Sequence, residues 1–353
     1  MKNLREHFLA GQVIPAQPLA LDANRRFDEK YQRALTRYYV AAGSGGLAVG
    51  VHSTQFEIRE PQHGLFEPVL ELASQTIDEE IARNSNGTPR DFVKVAGVCG
   101  STPQAIREAE TARGFGYEAA LLSLAALKNA SDAELIAHCK TVSQTIPIIG
   151  FYLQPAAGGR ILSYEFWREF AEIENVVAIK MAPFNRYQTI DVVRAIVESG
   201  RDDIALYTGN DDNIVLDLLT NWQFERNGEK VSRMIVGGLL GHWAVWTQKA
   251  VELLDEIKAA RTQEKLDVSW LTRAIEVTDT NAAFFDPSHQ FAGCIPGIHE
   301  ALRRQGLMQN TFCLNPHEVL SPGQSEEIDR VYRAYPHLND DEFVRANLEK
   351  WLA

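Results

Sequence analysis

Eight short apolar, β-rich runs, each followed by a stretch with helical periodicity, constrain the fold of this 353-residue chain more than any other feature in it. The runs lie at 13–19, 46–51, 92–98, 119–123, 148–153, 176–181, 204–208 and 234–238; the helical stretches lie at 28–42, 65–84, 102–114, 132–145, 164–173, 187–200, 211–222 and 242–261. Parallel strands need a crossover of a dozen or more residues between them, and a helix is the usual one. Ser131 and Ser163 stand where helices begin and can cap them, while Gly114 and Gly200 stand where helices end. Eight strand-helix units at a spacing of roughly 30 residues predict a (β/α)8 TIM barrel, with its site in the loops after the strands. An open doubly wound sheet would instead carry a glycine-rich turn directly after a strand. The cluster Gly43-Ser44-Gly45-Gly46 follows a helix and precedes a strand, which suits a helix C-cap and a tight turn. Past residue 262 the alternation stops. The stretches 268–285, 298–307, 323–335 and 340–352 read as helices, which predicts a catalytic barrel over 1–262 and a helical C-terminal domain over 263–353.

Charge and composition narrow the function. A formal net charge of −12 argues against a nucleic-acid or anionic-membrane partner, either of which needs a basic surface. The first 21 residues carry Lys2, Arg5 and Glu6 and have no apolar core of signal-peptide length. The longest uncharged interval, 141–159, is interrupted by Pro147, Gly150 and Pro155, so no membrane span is expected. Cys99, Cys139, Cys294 and Cys313 lie far apart without a Cys-x-x-Cys pair, as reduced thiols in a cytoplasmic protein do.

The sixth run carries the chemistry. Val176-Val177-Ala178-Ile179 is an apolar strand pattern that ends in Lys180, and a charged residue at that point either snorkels to solvent or points into a site. A lysine amine that is partly desolvated loses basicity and becomes a nucleophile toward carbonyls, forming a Schiff base. The fifth run ends at Tyr152, which has the parity of Gly150 and Ile148. With strands five and six adjacent in a barrel, Tyr152 and Lys180 are expected to be neighbours in its mouth, where a phenol can relay protons.

These residues resemble the dihydrodipicolinate synthase / N-acetylneuraminate lyase family of class I aldolases. That family has a Tyr-x-x-Pro motif after strand five and an Ile-Lys motif on strand six, matched by Tyr152-Leu153-Gln154-Pro155 and Ile179-Lys180. The stretch 207–212, Tyr-Thr-Gly-Asn-Asp-Asp, is similar to the family's Gly-Asp-Asp after strand seven, and 296–307 is similar to its C-terminal helix. The resemblance implies a Schiff-base lyase acting on a 2-oxo acid such as pyruvate or a pyruvate aldol adduct. It implies no metal and no organic cofactor, and a homo-oligomer, dimer or tetramer. Lys180 is then the nucleophile and Tyr152 the proton shuttle. His52, Ser53 and Thr54 are expected to hold the carboxylate, and backbone groups near Gly209 and Gly238 to line the mouth.

Departures from the family bear on specificity. Its carboxylate-binding turn becomes Gly50-Val51-His52-Ser53-Thr54-Gln55, and the tyrosine expected after strand four is missing from 123–127, Ser-Leu-Ala-Ala-Leu. The arginine that the synthases place two residues after the proline is Ala157 here, with Arg160 three residues on. A true dihydrodipicolinate synthase is therefore not expected. Two other readings are a metal-dependent barrel aldolase or hydrolase, using His52, His63, His242 and Asp211, and a non-catalytic ligand-binding relative. The metal reading has neither a His-x-His nor a His-x-x-x-His pattern behind it.

Overall fold

The computed structural model describes residues 3–84, 91–155 and 158–353. Helix α1 (Leu4–Leu9) and strand β1 (Val13–Pro15) lead into α2 (Glu29–Ala41), β2 (Gly46–Val49), α3 (Phe66–Asn84), β3 (Val93–Val98), α4 (Thr102–Gly114) and β4 (Ala119–Leu122). Next come α5 (Asp132–Ser143), β5 (Ile148–Leu153), α6 (Tyr164–Ala171), β6 (Val176–Ala182), α7 (Arg186–Ser199), β7 (Ala205–Thr208) and α8 (Ile214–Leu219). A hairpin of β8 (Trp222–Arg226) and β9 (Glu229–Arg233) precedes β10 (Gly237–Leu240) and α9 (Thr247–Ala260). Four helices finish the chain: α10 (Ser269–Phe285), α11 (Cys294–Arg304), α12 (Gln324–Ala334) and α13 (Asp341–Leu352).

Eight strands form one sheet in the order β1-β10-β7-β6-β5-β4-β3-β2, and a parallel bridge from Ala16 to Ala48 joins the two ends of that order. This is the (β/α)8 barrel that the alternation predicts. The chain packs as two compact units, Met1–Gln12 with Val93–Leu239 and Val13–Phe92 with Leu240–Ala353. Among the described residues no helix is long and apolar enough to cross a membrane.

In the first unit every residue of β3, β4, β6 and β7 is buried. Strands covered on both faces have no solvent side to mark with polar residues, so they read in the sequence as nearly continuous apolar runs, with Lys94 in β3 and Lys180 in β6 as the charged exceptions. Helix α1, absent from the sequence reading, is six residues long and carries Arg5 and Glu6, too short and too polar to show a periodicity. It is anchored by Phe8, whose ring meets Tyr207 edge-on at 5.7 Å, while the Tyr207 hydroxyl donates to the Phe8 carbonyl at 2.8 Å. Arg5 donates to the Val176 carbonyl at 2.7 Å, at the start of β6.

Three elements differ from expectation. The helix expected over 211–222 is only the six residues of α8, and the chain then turns into the β8–β9 hairpin. Its two-residue turn, Asn227-Gly228, has both φ angles positive (56° and 82°), the geometry that favours Asn-Gly between antiparallel strands. The eighth barrel strand begins at Gly237 rather than 234, paired with Tyr207. The third difference is one of register. Ile148 of β5 pairs with Val176, but Ile149 pairs with Ala178, so β6 carries one extra residue at this point. A bulge of one residue exchanges the faces of everything beyond it relative to the partner strand. As a result Phe151 stands opposite Lys180, and Tyr152 opposite Met181.

In the second unit a polar knot ties α2 to the C-terminal helices. Tyr38 is fully buried; its hydroxyl donates to Asp340 Oδ2 at 2.7 Å and accepts the Thr247 N–H at 2.7 Å. Asp340 also accepts from the Gln305 amide and the Gln248 N–H. Burial raises the Asp340 carboxyl above the usual range, against three hydrogen bonds that favour its anion.

Candidate active site

Lys180 is the fifth of the seven residues of β6 and is 8% exposed, so its amine rises from an apolar strand without reaching bulk water. Its Nζ lies 4.6 Å from the centroid of the Phe151 ring. Desolvation brings the amine down from 10.5 to about 8, opposed by the negative charge of Asp211, itself 5% exposed. At neutral pH a pKa near 8 leaves about a tenth of the amine unprotonated, about 300-fold more than at the ordinary lysine value.

The space for that side chain comes from Gly209, just after β7. A Cβ there would lie 2.6 Å from Lys180 Cε, 2.9 Å from Lys180 Cγ and 2.9 Å from the Ala182 methyl. Glycine is thus required by close approach rather than by backbone strain. Gly209 donates its N–H to the Met181 carbonyl at 2.7 Å, which holds the β7 end against β6 beside the lysine.

Asp217 on α8 shapes the loop between Gly209 and that helix. Its side chain is fully buried and accepts from the Thr208 hydroxyl (2.7 Å), the Asn210 amide (2.9 Å) and the Asn213 amide (3.3 Å), and it is ion-paired with Arg186. Burial nonetheless raises its carboxyl above the usual range. Asn210 extends the network, its amide donating to Thr189 Oγ1 at 3.1 Å and its carbonyl accepting the Phe184 N–H at 3.0 Å. The loop that carries Asp211 is therefore fixed from both sides. A polar cavity of about 240 Å³ adjoins it, lined by Asn185, Arg186, Thr189, Asn210, Asp212 and Asn213.

Tyr152 does not join this cluster. It lies on the helix-facing side of β5, with its ring 5.5 Å from Trp167 of α6. Gly150 has the same parity, and a Cβ there would meet the Phe170 and Trp167 rings of the same helix. The Tyr152 hydroxyl donates to the Leu162 carbonyl and accepts the Leu162 N–H, both at 3.2 Å, and burial raises its pKa. These bonds pin the segment before α6, and they correct the expectation that Tyr152 and Lys180 are neighbours.

In the second unit, residues 52–54 form a single 3-10 turn. The Ser53 hydroxyl donates to the Ala16 carbonyl at 2.9 Å, and the Thr54 hydroxyl donates to the Gln17 carbonyl at 2.7 Å while accepting the Gly50 and Val51 N–H groups. Both side chains are buried, and their hydroxyl protons are spent on tying the turn to the end of β1. The two hydroxyls, expected to hold a carboxylate, serve the turn itself in this structure. His52 opens the turn, half-buried, with its ring 6.1 Å from Phe56. In the first unit Gly238 is buried in β10 opposite Thr208, its N–H donating to the Gln12 carbonyl at 3.1 Å. Arg160 spends Nη1 on the Leu127 and Ala130 carbonyls, at 2.9 and 2.8 Å. The expectation attached to Ala157 lies outside the described residues.

Among the described residues no three His, Cys, Asp or Glu side chains are grouped as metal ligands. His242 is buried and pushed down to about 4 by desolvation.

The comparisons with known proteins agree with this architecture. The dihydrodipicolinate synthetase family model matches residues 10–221, more than half of the chain. The 4-hydroxy-tetrahydrodipicolinate synthase of Methanococcoides burtonii is 30% identical over 121 residues, 34% of this chain and 40% of that protein. Curated relatives of this kind are matched over 38–66% of their own length. Among solved structures, dihydrodipicolinate synthase from Oceanobacillus iheyensis superposes with a TM-score of 0.72 at 17% identity, covering 95% of this chain and 100% of that one. N-acetylneuraminate lyase from Fusobacterium nucleatum superposes with a TM-score of 0.68 at 15% identity, covering 93% and 99%. At these identities the structural likeness bears on fold alone.

Proposed function

Since the chain belongs to the dihydrodipicolinate synthetase family, we propose that it is a Schiff-base lyase of the class I aldolase type, acting on a 2-oxo acid such as pyruvate or an aldol adduct of pyruvate. The observation that carries this is Lys180: a buried amine on β6, brought down to about 8 by desolvation against the opposing negative charge of Asp211. The neutral amine adds to the oxo carbon, a C–N bond forms, and the carbonyl oxygen leaves as water after taking up two protons. The resulting iminium withdraws electrons from the neighbouring carbon, which can then lose a proton or break a C–C bond to give the enamine. With Tyr152 turned to α6, Asp211 is the ionisable group beside the amine that can accept and return protons.

The relatives that the chain matches are named as 4-hydroxy-tetrahydrodipicolinate synthases. Our reading is that this chain does not catalyse that reaction at a useful rate. Arg160 is committed to the loop carbonyls at 127 and 130, and no tyrosine follows β4. The second substrate of that synthase carries its own carboxylate, and a lost charge-assisted contact to it costs about 1.5–3 kcal/mol.

Enamine formation is tested without knowledge of the second substrate. Pyruvate incubated with the enzyme in deuterium oxide exchanges its methyl protons through the enamine, and proton NMR follows the loss of the methyl signal. Exchange that is catalysed by the protein and absent in Lys180→Ala is expected. A pyruvate and close 2-oxo acid panel that shows no catalysed exchange refutes the proposal.

A further inference from the structure

We infer that Phe151 is a positioning residue for the reacting nitrogen, its ring face forming the seat for the cationic iminium that Lys180 makes with its substrate. This rests on the Schiff-base reading above. The register shift in β6 brings Phe151, and not Tyr152, opposite Lys180, and Nζ lies 4.6 Å from the ring centroid. A cation within about 6 Å of an aromatic face is attracted by the ring quadrupole, more strongly where water is excluded. Phe151 is 6% exposed and Lys180 8%, so water competes little here. Gly209 closes the opposite side, where any Cβ would overlap Lys180 Cε and Cγ. The side chain is thus held between a ring and a glycine.

The chemistry matches that geometry. On iminium formation the neutral amine gives one of its two protons to the departing water, whose second proton comes from solvent, and gains a C=N bond; the product nitrogen keeps one proton and carries a positive charge. That charge arises at the atom that already lies over the ring. Asp211 is the charged group that bears on the nitrogen from the β7 side; Phe151 faces it from β5 and adds no group that titrates. A phenyl ring in this place stabilises the cation without accepting its proton. Proton relay and cation stabilisation, which a tyrosine would combine, are then divided between Asp211 and Phe151.

The test replaces Phe151 with phenylalanine analogues carrying one, two and three ring fluorines, which weaken the quadrupole stepwise at nearly constant shape, together with Phe151→Tyr and Phe151→Leu. Two quantities are read on the whole protein: the apparent pKa of Lys180 from the pH dependence of its modification by an amine-directed reagent, located by peptide mass mapping, and the fraction of enzyme trapped with pyruvate and borohydride. A cation–π contact is expected to lower the Lys180 pKa progressively with fluorination, by about half a unit to one and a half units for Phe151→Leu. The trapped fraction at subsaturating pyruvate is expected to fall in step, and Phe151→Tyr to stay near wild type. A wild-type enzyme that traps pyruvate, with pKa and trapping flat across the fluorine series, overturns the role of Phe151 and leaves the Schiff base standing. A wild-type enzyme that traps no 2-oxo acid, yet shows the graded pKa, overturns the Schiff-base reading and with it the iminium seat, leaving only a cation–π contact to the free amine.

Discussion

Gly209→Ala tests the packing around the lysine with a single methyl group. The backbone at Gly209 is not in the left-handed region, so alanine meets no conformational penalty there. The added Cβ would lie 2.6 Å from Lys180 Cε and 2.9 Å from both Lys180 Cγ and the Ala182 methyl. Carbon atoms in contact rest about 3.5–4.0 Å apart, so the lysine must retreat by about 1 Å. Overpacking of this kind costs about 1–3 kcal/mol of stability, and a 1 Å misplacement of a reacting group costs on the order of 100-fold in rate. Denaturant melts and rates of borohydride trapping measure the two effects separately. The double mutant with Lys180→Ala supplies the control, because Cε and Cγ are then gone and only the Ala182 contact remains. Most of the stability cost of Gly209→Ala is expected to vanish in that background, a coupling of about 1 kcal/mol or more. A Gly209→Ala protein that traps substrate at the wild-type rate refutes the reasoning, as does a stability cost that is the same with and without the lysine.

Three further outcomes follow from the electrostatics. Borohydride trapping should rise with pH and level off above about 8 as Lys180 loses its proton, and a profile still rising steeply at pH 10 would show an ordinary lysine. Because the folded pKa of about 8 lies below the unfolded value near 10.5, the unfolded chain holds the proton between those values. The burial cost of Lys180 is then fully present below pH 8 and relieved as pH rises to 10.5. The stability advantage of Lys180→Met over wild type should therefore shrink by about 3 kcal/mol across that window in urea titrations, and a constant difference would contradict the shift. Asp217→Ala leaves the donors of Thr208, Asn210 and Asn213 without their acceptor and Arg186 without its anion. It should cost about 2–5 kcal/mol by chemical denaturation and slow trapping at Lys180 as well, and a cost within 0.5 kcal/mol would show that the network does not hold the loop.

The barrel was legible because burial on both faces leaves its strands as nearly continuous apolar runs, and because most of the crossover helices show a helical periodicity of their own. Lys180 was legible for the complementary reason: a charge at the end of such a run has few places to go. What stayed hidden depended on registers and partners that no run of residues encodes. The extra residue in β6 near Val177 exchanges Phe151 for Tyr152 at the lysine, and counting parity along separate strands cannot detect it. Ser53 and Thr54 have the chemistry of an anion-binding turn, but the carbonyls of Ala16 and Gln17, more than thirty residues earlier, claim their protons. Asp217 sits in a stretch read as one helix through 222. The Asn227-Gly228 turn was the signal that such a helix must end, and with it the marker for the short α8 that brings Asp217 to the loop.

Everything proposed for Lys180 turns on its forming a covalent imine with a 2-oxo acid. It is tested most directly by treating the protein with pyruvate and borohydride, weighing the intact chain and mapping the modified peptide. A single reduced pyruvyl adduct on Lys180 is expected, lost in Lys180→Ala. An adduct that persists in Lys180→Ala, or none with any 2-oxo acid on a folded wild-type protein, would contradict it.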